Sequence, residues 1–286
     1  MPELPEVEIV KQSLEKSVKY KRILTIIINN RNLRFKVDKF LQNKLKNKKI
    51  ISLYRKAKYL ILELENKKFL VIHFGMSGTL HLLRQGVKNN TNLSFYKDKN
   101  LPSKHNHLIF VFDQFEIIYN DPRRFGFIKF FENNISLKNY LSSYALDPLD
   151  INFKFTDFQK KIEKRNKNIK NILLDQKIVS GIGNIYASEI LFSSRINPLI
   201  LGKKLKLYQI KNLYKYSKIV LKNAILKGGS SIRDFKNIVG QEGLFQKEFK
   251  VYDRQNETCN NKKCNYKIEK ILISNRSTFY CKNCQK

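Results

Sequence analysis

No stretch of this 286-residue chain approaches the roughly 18 consecutive apolar positions that a membrane-spanning helix needs. The opening Met-Pro-Glu-Leu-Pro-Glu is acidic and lacks the shape of a signal peptide, so no secretion is expected. Cysteine is scarce, and all four copies fall after residue 258, which excludes a framework of disulfides spread along a secreted chain. Acids are scarce too: 24 Asp and Glu stand against 56 Lys and Arg, a net charge of +32. Solubility needs far less, so the expected partner is a polyanion. Asn, Lys and Ile are abundant almost everywhere, which makes base composition one source of that excess. There is no repeat of 20–50 residues and no Rossmann or phosphate-loop signature, which argues against a solenoid and against a nucleotide-binding α/β domain.

What is present is a sheet-rich half followed by a helical half. Val7, Val10, Leu14 and Val18 recur at helical spacing and predict a helix over 6–18. The run 23–28 is short and β-branched and predicts a strand. Further strands are expected at 50–54, 59–64, 69–73, 79–83, 107–112, 115–119 and 127–131, as in a sandwich or barrel-like sheet. After about residue 150 the pattern turns helical, at 158–164, 169–175, 184–194 and 206–226, with a turn at 178–183. The expected class is α+β: an N-terminal sheet domain, sandwich or barrel-like, over 1–133, a linker over 134–150, a helical domain over 151–245 and a metal-stapled tail over 246–286. A cleft between the two larger parts would suit a nucleic acid.

Cys259 and Cys264 enclose four residues, Cys281 and Cys284 enclose two, and sixteen lie between the pairs, enough for a hairpin. Two thiolate knuckles fit one structural, tetrahedral zinc. Two disulfides, free thiols or an iron–sulfur cluster are the alternatives. A tail this polar cannot fold on apolar burial alone, so the metal would supply much of its stability.

At the other end, Pro2 would present a secondary amine once Met1 is removed. An α-amino group titrates near about 8, so a sizeable fraction is neutral and nucleophilic at pH 7. Such an amine can attack a sugar C1′ and form an iminium that drives elimination of phosphates. Glu3 and Glu6, three apart at a helix start, can share a face, one to move protons and one to hold the sugar. The plainer reading is a helix opened by Pro5 with ordinary first-turn acids.

The segment Pro2-Glu3-Leu4-Pro5-Glu6-Val7-Glu8 resembles the N-terminus of the bacterial formamidopyrimidine-DNA glycosylase family. The likeness continues in Lys56 to Leu60, in His73-Phe74-Gly75-Met76-Ser77-Gly78, in Asp121 to Gly126, in Asp175 to Glu189, and in the tail from Arg276 to Cys281 with Cys284-Gln285-Lys286. It implies an N-terminal sandwich, a helix–two-turns–helix motif within 169–193 and a zinc-finger hairpin. It also implies a monomeric, cytoplasmic and nucleoid-associated enzyme. Its partner would be duplex DNA carrying oxidised purines or abasic sites, and it would hold one structural zinc ion per chain.

By that resemblance Pro2 is the nucleophile, Glu3 the acid/base, Glu6 a holder of the sugar and terminus, and Lys58 a phosphate contact that supports catalysis. Eight Lys or Arg between Lys39 and Lys58, uninterrupted by an acid, agree on electrostatics. Met76, Arg123 and Phe125 would fill the void left by an everted base, Arg123 facing the orphaned cytosine and Phe125 wedging the stack. His73, Asn184 and Arg276 would contact phosphates. Core packing is the alternative for Met76 and Phe125, a sheet-bound histidine for His73 and a helix cap for Asn184. Residues 228–245 resemble the stretch that covers an everted 8-oxoguanine. Two departures stand out: the first cysteine pair commonly encloses two residues in the family, and Glu242-Gly243 replaces the usual Pro-Gly. The related endonuclease VIII branch, acting on oxidised pyrimidines, is the near alternative, and Leu4 argues against it. A non-catalytic damage-binding protein and an indiscriminate basic zinc-ribbon protein are more distant ones.

Overall fold

The computed structural model describes residues 2–84, 103–230 and 243–286. The chain forms two compact units, Met1–Leu141 with Lys227–Leu244, and Ser142–Leu226 with Phe245–Lys286.

In the first unit, α1 (Leu4–Val18) has Glu3 as its N-cap and Pro5 in its first turn, where a missing N–H costs nothing. Its apolar stripe, Val7, Val10, Leu14 and Val18, is fully buried. Among the described residues nine strands follow: β1 (Arg22–Ile23), β2 (Thr25–Ile28), β3 (Lys48–Lys56), β4 (Tyr59–Leu64), β5 (Lys68–His73), β6 (Thr79–Arg84), β7 (Asn106–Val111), β8 (Phe115–Asn120) and β9 (Phe127–Phe131). They pair antiparallel in two sheets of order β1-β3-β4-β5-β9 and β2-β7-β8-β6. Leu53, Leu60, Leu62 and Ile72 of one sheet and Ile26, Leu80, Leu108 and Ile117 of the other share a single core with α1. This is the expected sandwich with a flanking helix.

Two local expectations change. The predicted strand 23–28 is two strands in different sheets. The chain crosses between them at the exposed Leu24, whose N–H donates to Val111 O at 2.8 Å. The first part of the expected linker is a helix, α3 (Asn134–Leu141), started by Asn133 Oδ1 accepting Ser136 N–H at 2.9 Å and held by buried Leu137. A short helix α2 (Leu41–Leu45) also lies within the basic run, because Leu41 and Leu45 are both buried one turn apart.

The second unit holds α4 (Phe155–Ile162), α5 (Ile169–Leu174), α6 (Asn184–Ser193) and α7 (Leu207–Leu226), then a hairpin of β10 (Glu269–Ile273) and β11 (Arg276–Tyr280). Helix α6 is buried almost all round, since α5, α7 and β11 all pack on it. The tail groups with these helices because buried Glu189 of α6 accepts the N–H groups of Lys250, Val251 and Tyr252 at 2.9, 3.0 and 2.9 Å. Conversely, 227–244 groups with the sandwich rather than with the helices. Its near end is bonded there: Ser230 N–H and Oγ both donate to Glu6 Oε1 at 2.9 Å.

Candidate catalytic terminus and nucleic-acid interface

Pro2, Glu3 and Glu6 are all buried at the head of α1. Glu3 and Glu6 form a reciprocal capping box, with Glu3 N–H donating to Glu6 Oε2 at 2.9 Å. Glu6 therefore serves two masters: one oxygen fixes the residue after the proline, and the other fixes Ser230. Gly229 takes φ +77°, and a Cβ there would lie 3.2 Å from Glu6 Oε1, so glycine lets the chain pass this close. Met1 and 231–242, which include most of the expected lesion-loop stretch, lie outside the described residues.

Lys58 sits in the two-residue turn between β3 and β4, preceded by Ala57 in the left-handed region at φ 53°. It is 8% exposed. His73 at the end of β5 stacks on Phe127, with centroids 5.2 Å apart and planes at 15°. Burial, then the Lys58 and Arg34 charges, push its imidazole down to about 4, so it is neutral near pH 7. Its Nδ1 accepts Gly75 N–H at 3.1 Å, which leaves the ring proton on Nε2 as a donor suited to a phosphate oxygen.

The three expected probe residues are brought together on the rim of one depression of about 760 Å³, lined also by Asn32, Arg34 and His73. Met76 is 40% and Phe125 44% exposed, which rules out core packing for both. The Arg123 guanidinium lies 4.6 Å from the Phe125 ring centroid. Gly75 is at φ +57°, and a Cβ on it would lie 2.3 Å from Phe125 C, so the two turns touch backbone to backbone. Beneath them lies Asp121, fully buried, which accepts Ser77 Oγ at 2.5 Å and Gly126 N–H at 2.8 Å. In the sequence Asp121 stands out only as the first residue of a segment that resembles the family. Ser230, Ser77 and Glu189 carried no signal of their partners, because each partner is far away along the chain.

In the second unit Gln176 shapes the turn before α6. Its Oε1 accepts Gly181 N–H at 2.8 Å and its Nε2 donates to Ile182 O at 2.9 Å. Gly183 is the N-cap of α6 and supplies no side-chain bond. Asn184 Nδ2 donates to Ser277 O at 2.9 Å, so this asparagine links α6 to the hairpin; its Oδ1 has no hydrogen-bond partner. Arg276 is exposed beside the two-residue turn Ser274-Asn275, both left-handed, as tight hairpins require.

Cys259, Cys264, Cys281 and Cys284 converge, their four Sγ atoms within 4.8 Å of one another. None forms a disulfide. Sγ atoms of Cys259 and Cys284 lie 3.8 Å apart, and those of Cys264 and Cys281 3.6 Å apart. A tetrahedral all-thiolate site with metal–sulfur bonds of about 2.3 Å has edges of about 3.8 Å, so this set can hold a metal ion. The longer first knuckle is accommodated: Asn261 within it donates to Cys284 Sγ at 3.4 Å, as Asn283 does to Cys264 Sγ.

The glycine-shaped turns around α5 and α6 place the second unit in the helix–two-turns–helix class of DNA-binding proteins. The family model described as the formamidopyrimidine-DNA glycosylase H2TH domain matches residues 144–236, and that of the corresponding N-terminal domain matches 1–128. Formamidopyrimidine-DNA glycosylase of Rickettsia bellii (strain OSU 85-389) is 40% identical over 287 residues, covering all of both chains. That of Wolbachia pipientis subsp. Culex pipiens is 37% identical over 286, again covering both. Among solved structures, a point mutant of Lactococcus lactis FPG in complex with DNA containing Fapy-dG gives a TM-score of 0.88 at 31% identity, covering both chains fully. The same organism's FPG with an abasic-site DNA gives 0.86 at 31%, covering 99% of each. The chain belongs to the formamidopyrimidine-DNA glycosylase family.

Proposed function

We propose that this chain is a bifunctional DNA glycosylase and abasic-site lyase of base excision repair, acting on oxidised purines such as formamidopyrimidines and 8-oxoguanine in duplex DNA. The observation that carries it is the N-terminus: a buried proline followed by two buried glutamates locked to each other at a helix head. In this reading the Pro2 amine, freed of Met1, bonds to C1′ as the glycosidic C–N bond breaks and the base leaves with a proton; the amine gives up its own proton, and the C1′–O4′ bond then opens as Glu3 protonates O4′, leaving C1′ doubly bonded to the proline nitrogen. The resulting iminium makes the C2′ hydrogen acidic. Loss of that proton with the C3′–O bond, then of the C4′ proton with the C5′–O bond, cuts the strand on both sides, and water releases Pro2. Glu6 holds the terminus, and Lys58 contacts a phosphate near the lesion.

His73, Asn184 and Arg276 take phosphates in this reading, and Met76, Arg123 and Phe125 fill the void. The four cysteines hold zinc, the ion that suits an all-thiolate tetrahedron; it braces the hairpin and leaves no open position for chemistry. The protein works as a cytoplasmic, nucleoid-associated monomer. Leu4 and the complete probe set favour this reading over the pyrimidine-specific branch.

Borohydride trapping on an 8-oxoguanine·cytosine duplex tests it. The expected result is a stable adduct that peptide mapping places on Pro2 and that undamaged duplex does not give. No adduct from protein shown to lack Met1 and to bind the duplex sinks the mechanism.

A further inference from the structure

We infer that Asp121 is the positioning residue that makes Met76, Arg123 and Phe125 one wedge, and that it does so through its carboxylate. The nature of the DNA it serves rests on the glycosylase reading above.

Met76 lies on the turn between β5 and β6, and Arg123 and Phe125 on the turn between β8 and β9. Asp121 joins the two. Its Oδ1 accepts Ser77 Oγ at 2.5 Å, next door to Met76, and its Oδ2 accepts Gly126 N–H at 2.8 Å, next door to Phe125. Ser77 Oγ in turn accepts the N–H of Arg123 at 3.1 Å. Met76 and Phe125 thus each adjoin a residue bonded to this carboxylate, and Arg123 is tied to it through Ser77. The anchor is itself rooted: Asp121 N–H donates to His105 O at 3.1 Å, and its carbonyl is 2.8 Å from His107 Nε2. Tyr119 Oη donates to Oδ2 at 3.3 Å from below.

Three donors therefore converge on one buried side chain, and an acceptor-only group satisfies them together. An asparagine that keeps its Oδ1 on the Gly126 N–H turns its Nδ2 toward Ser77 Oγ. The Ser77 hydroxyl must then accept rather than donate, so its own proton loses its acceptor and the short bond to a charged oxygen that ties the Met76 turn is lost. The probe side chains are exposed, so the order that precedes insertion comes from their backbones. That order lowers the entropic cost of driving a wedge into a base stack.

The test uses the full chain with Met1 removed, as wild type, Asp121→Asn and Ser77→Ala. One duplex carries a tetrahydrofuran abasic analogue with 2-aminopurine beside the position opposite it, so that insertion unstacks the probe and raises its fluorescence. A second carries 8-oxoguanine opposite cytosine, and a third is undamaged. Asp121→Asn is expected to slow the fluorescence rise and single-turnover excision each about tenfold, and Ser77→Ala about threefold. Binding to undamaged duplex should stay within twofold for both. A folded Asp121→Asn protein with a wild-type rise overturns the inference, as does an equal loss on undamaged duplex. Should Asp121→Asn fail to fold, Ser77→Ala decides alone, and an unchanged rise with it overturns the inference. A wild-type rise that depends on Asp121, without any excision, sinks the glycosylase reading and leaves the tether standing.

Discussion

His73 is held well away from its behaviour in water. Its imidazole titrates at about 4 in the fold against 6.5 ordinarily. Between those values the unfolded chain binds a proton that the folded chain refuses. The contribution of His73 to stability is therefore complete above about pH 6.5 and is lost as the pH falls toward 4, by up to about 3 kcal/mol. His73→Gln should flatten the pH dependence of urea-unfolding stability across that window; an unchanged slope would show that the ring is not held neutral by the fold. Glu6 is the second case. In Glu6→Gln the amide N–H must face either the Glu3 N–H or the Ser230 pair, all donors in the wild type. A loss of about 1–3 kcal/mol by chemical denaturation is expected, with weaker borohydride trapping at Pro2. A fall in trapping without a fall in stability would instead place Glu6 in the chemistry alone.

At the scale of elements, α6 carries the second unit. Burial pushes the Glu189 carboxyl up, while the Tyr252, Lys250 and Val251 N–H groups pull the other way. Glu189→Ala would take the acceptor from three amides, that of Val251 buried, for a cost of about 1–3 kcal/mol. Hydrogen exchange checks this, with protection expected to fall first at 250–252. The elements themselves were largely legible. β4 and β9 begin and end at the expected bounds, 59–64 and 127–131, as short apolar runs between breaks, and α5 and α6 run to within one residue of expectation. The misses share one cause. The break at Leu24 and the helix at 134–141 are set by what those residues pack against, and no local period encodes it.

For the whole molecule, a charge of +32 makes affinity for duplex DNA strongly salt-dependent. If six to ten phosphates are contacted, affinity should fall by about 10³–10⁵ between 50 and 200 mM salt. A shallow slope would mean that the positive surface is largely spectator charge. Metal content is expected at one ion per chain, bound at Cys259, Cys264, Cys281 and Cys284. Chelation should remove exchange protection from 269–280 while β3 to β5 keep theirs, because the sandwich has a core of its own.

The sequence alone determined the class of fold, the pairing of the cysteines along the chain, the basic character and the short motifs bearing Pro2, Lys58, Met76 and Arg123. Each of these is written in neighbouring residues or in a repeat that a helix or strand reads directly. Only the tertiary structure decided that Glu6 holds Ser230, that Asp121 ties the turn of Met76 to that of Phe125, and that Glu189 carries the tail. Their partners lie between 5 and 224 positions away. A buried carboxylate must find donors wherever folding brings them, and one-dimensional pattern holds no record of which donors those will be.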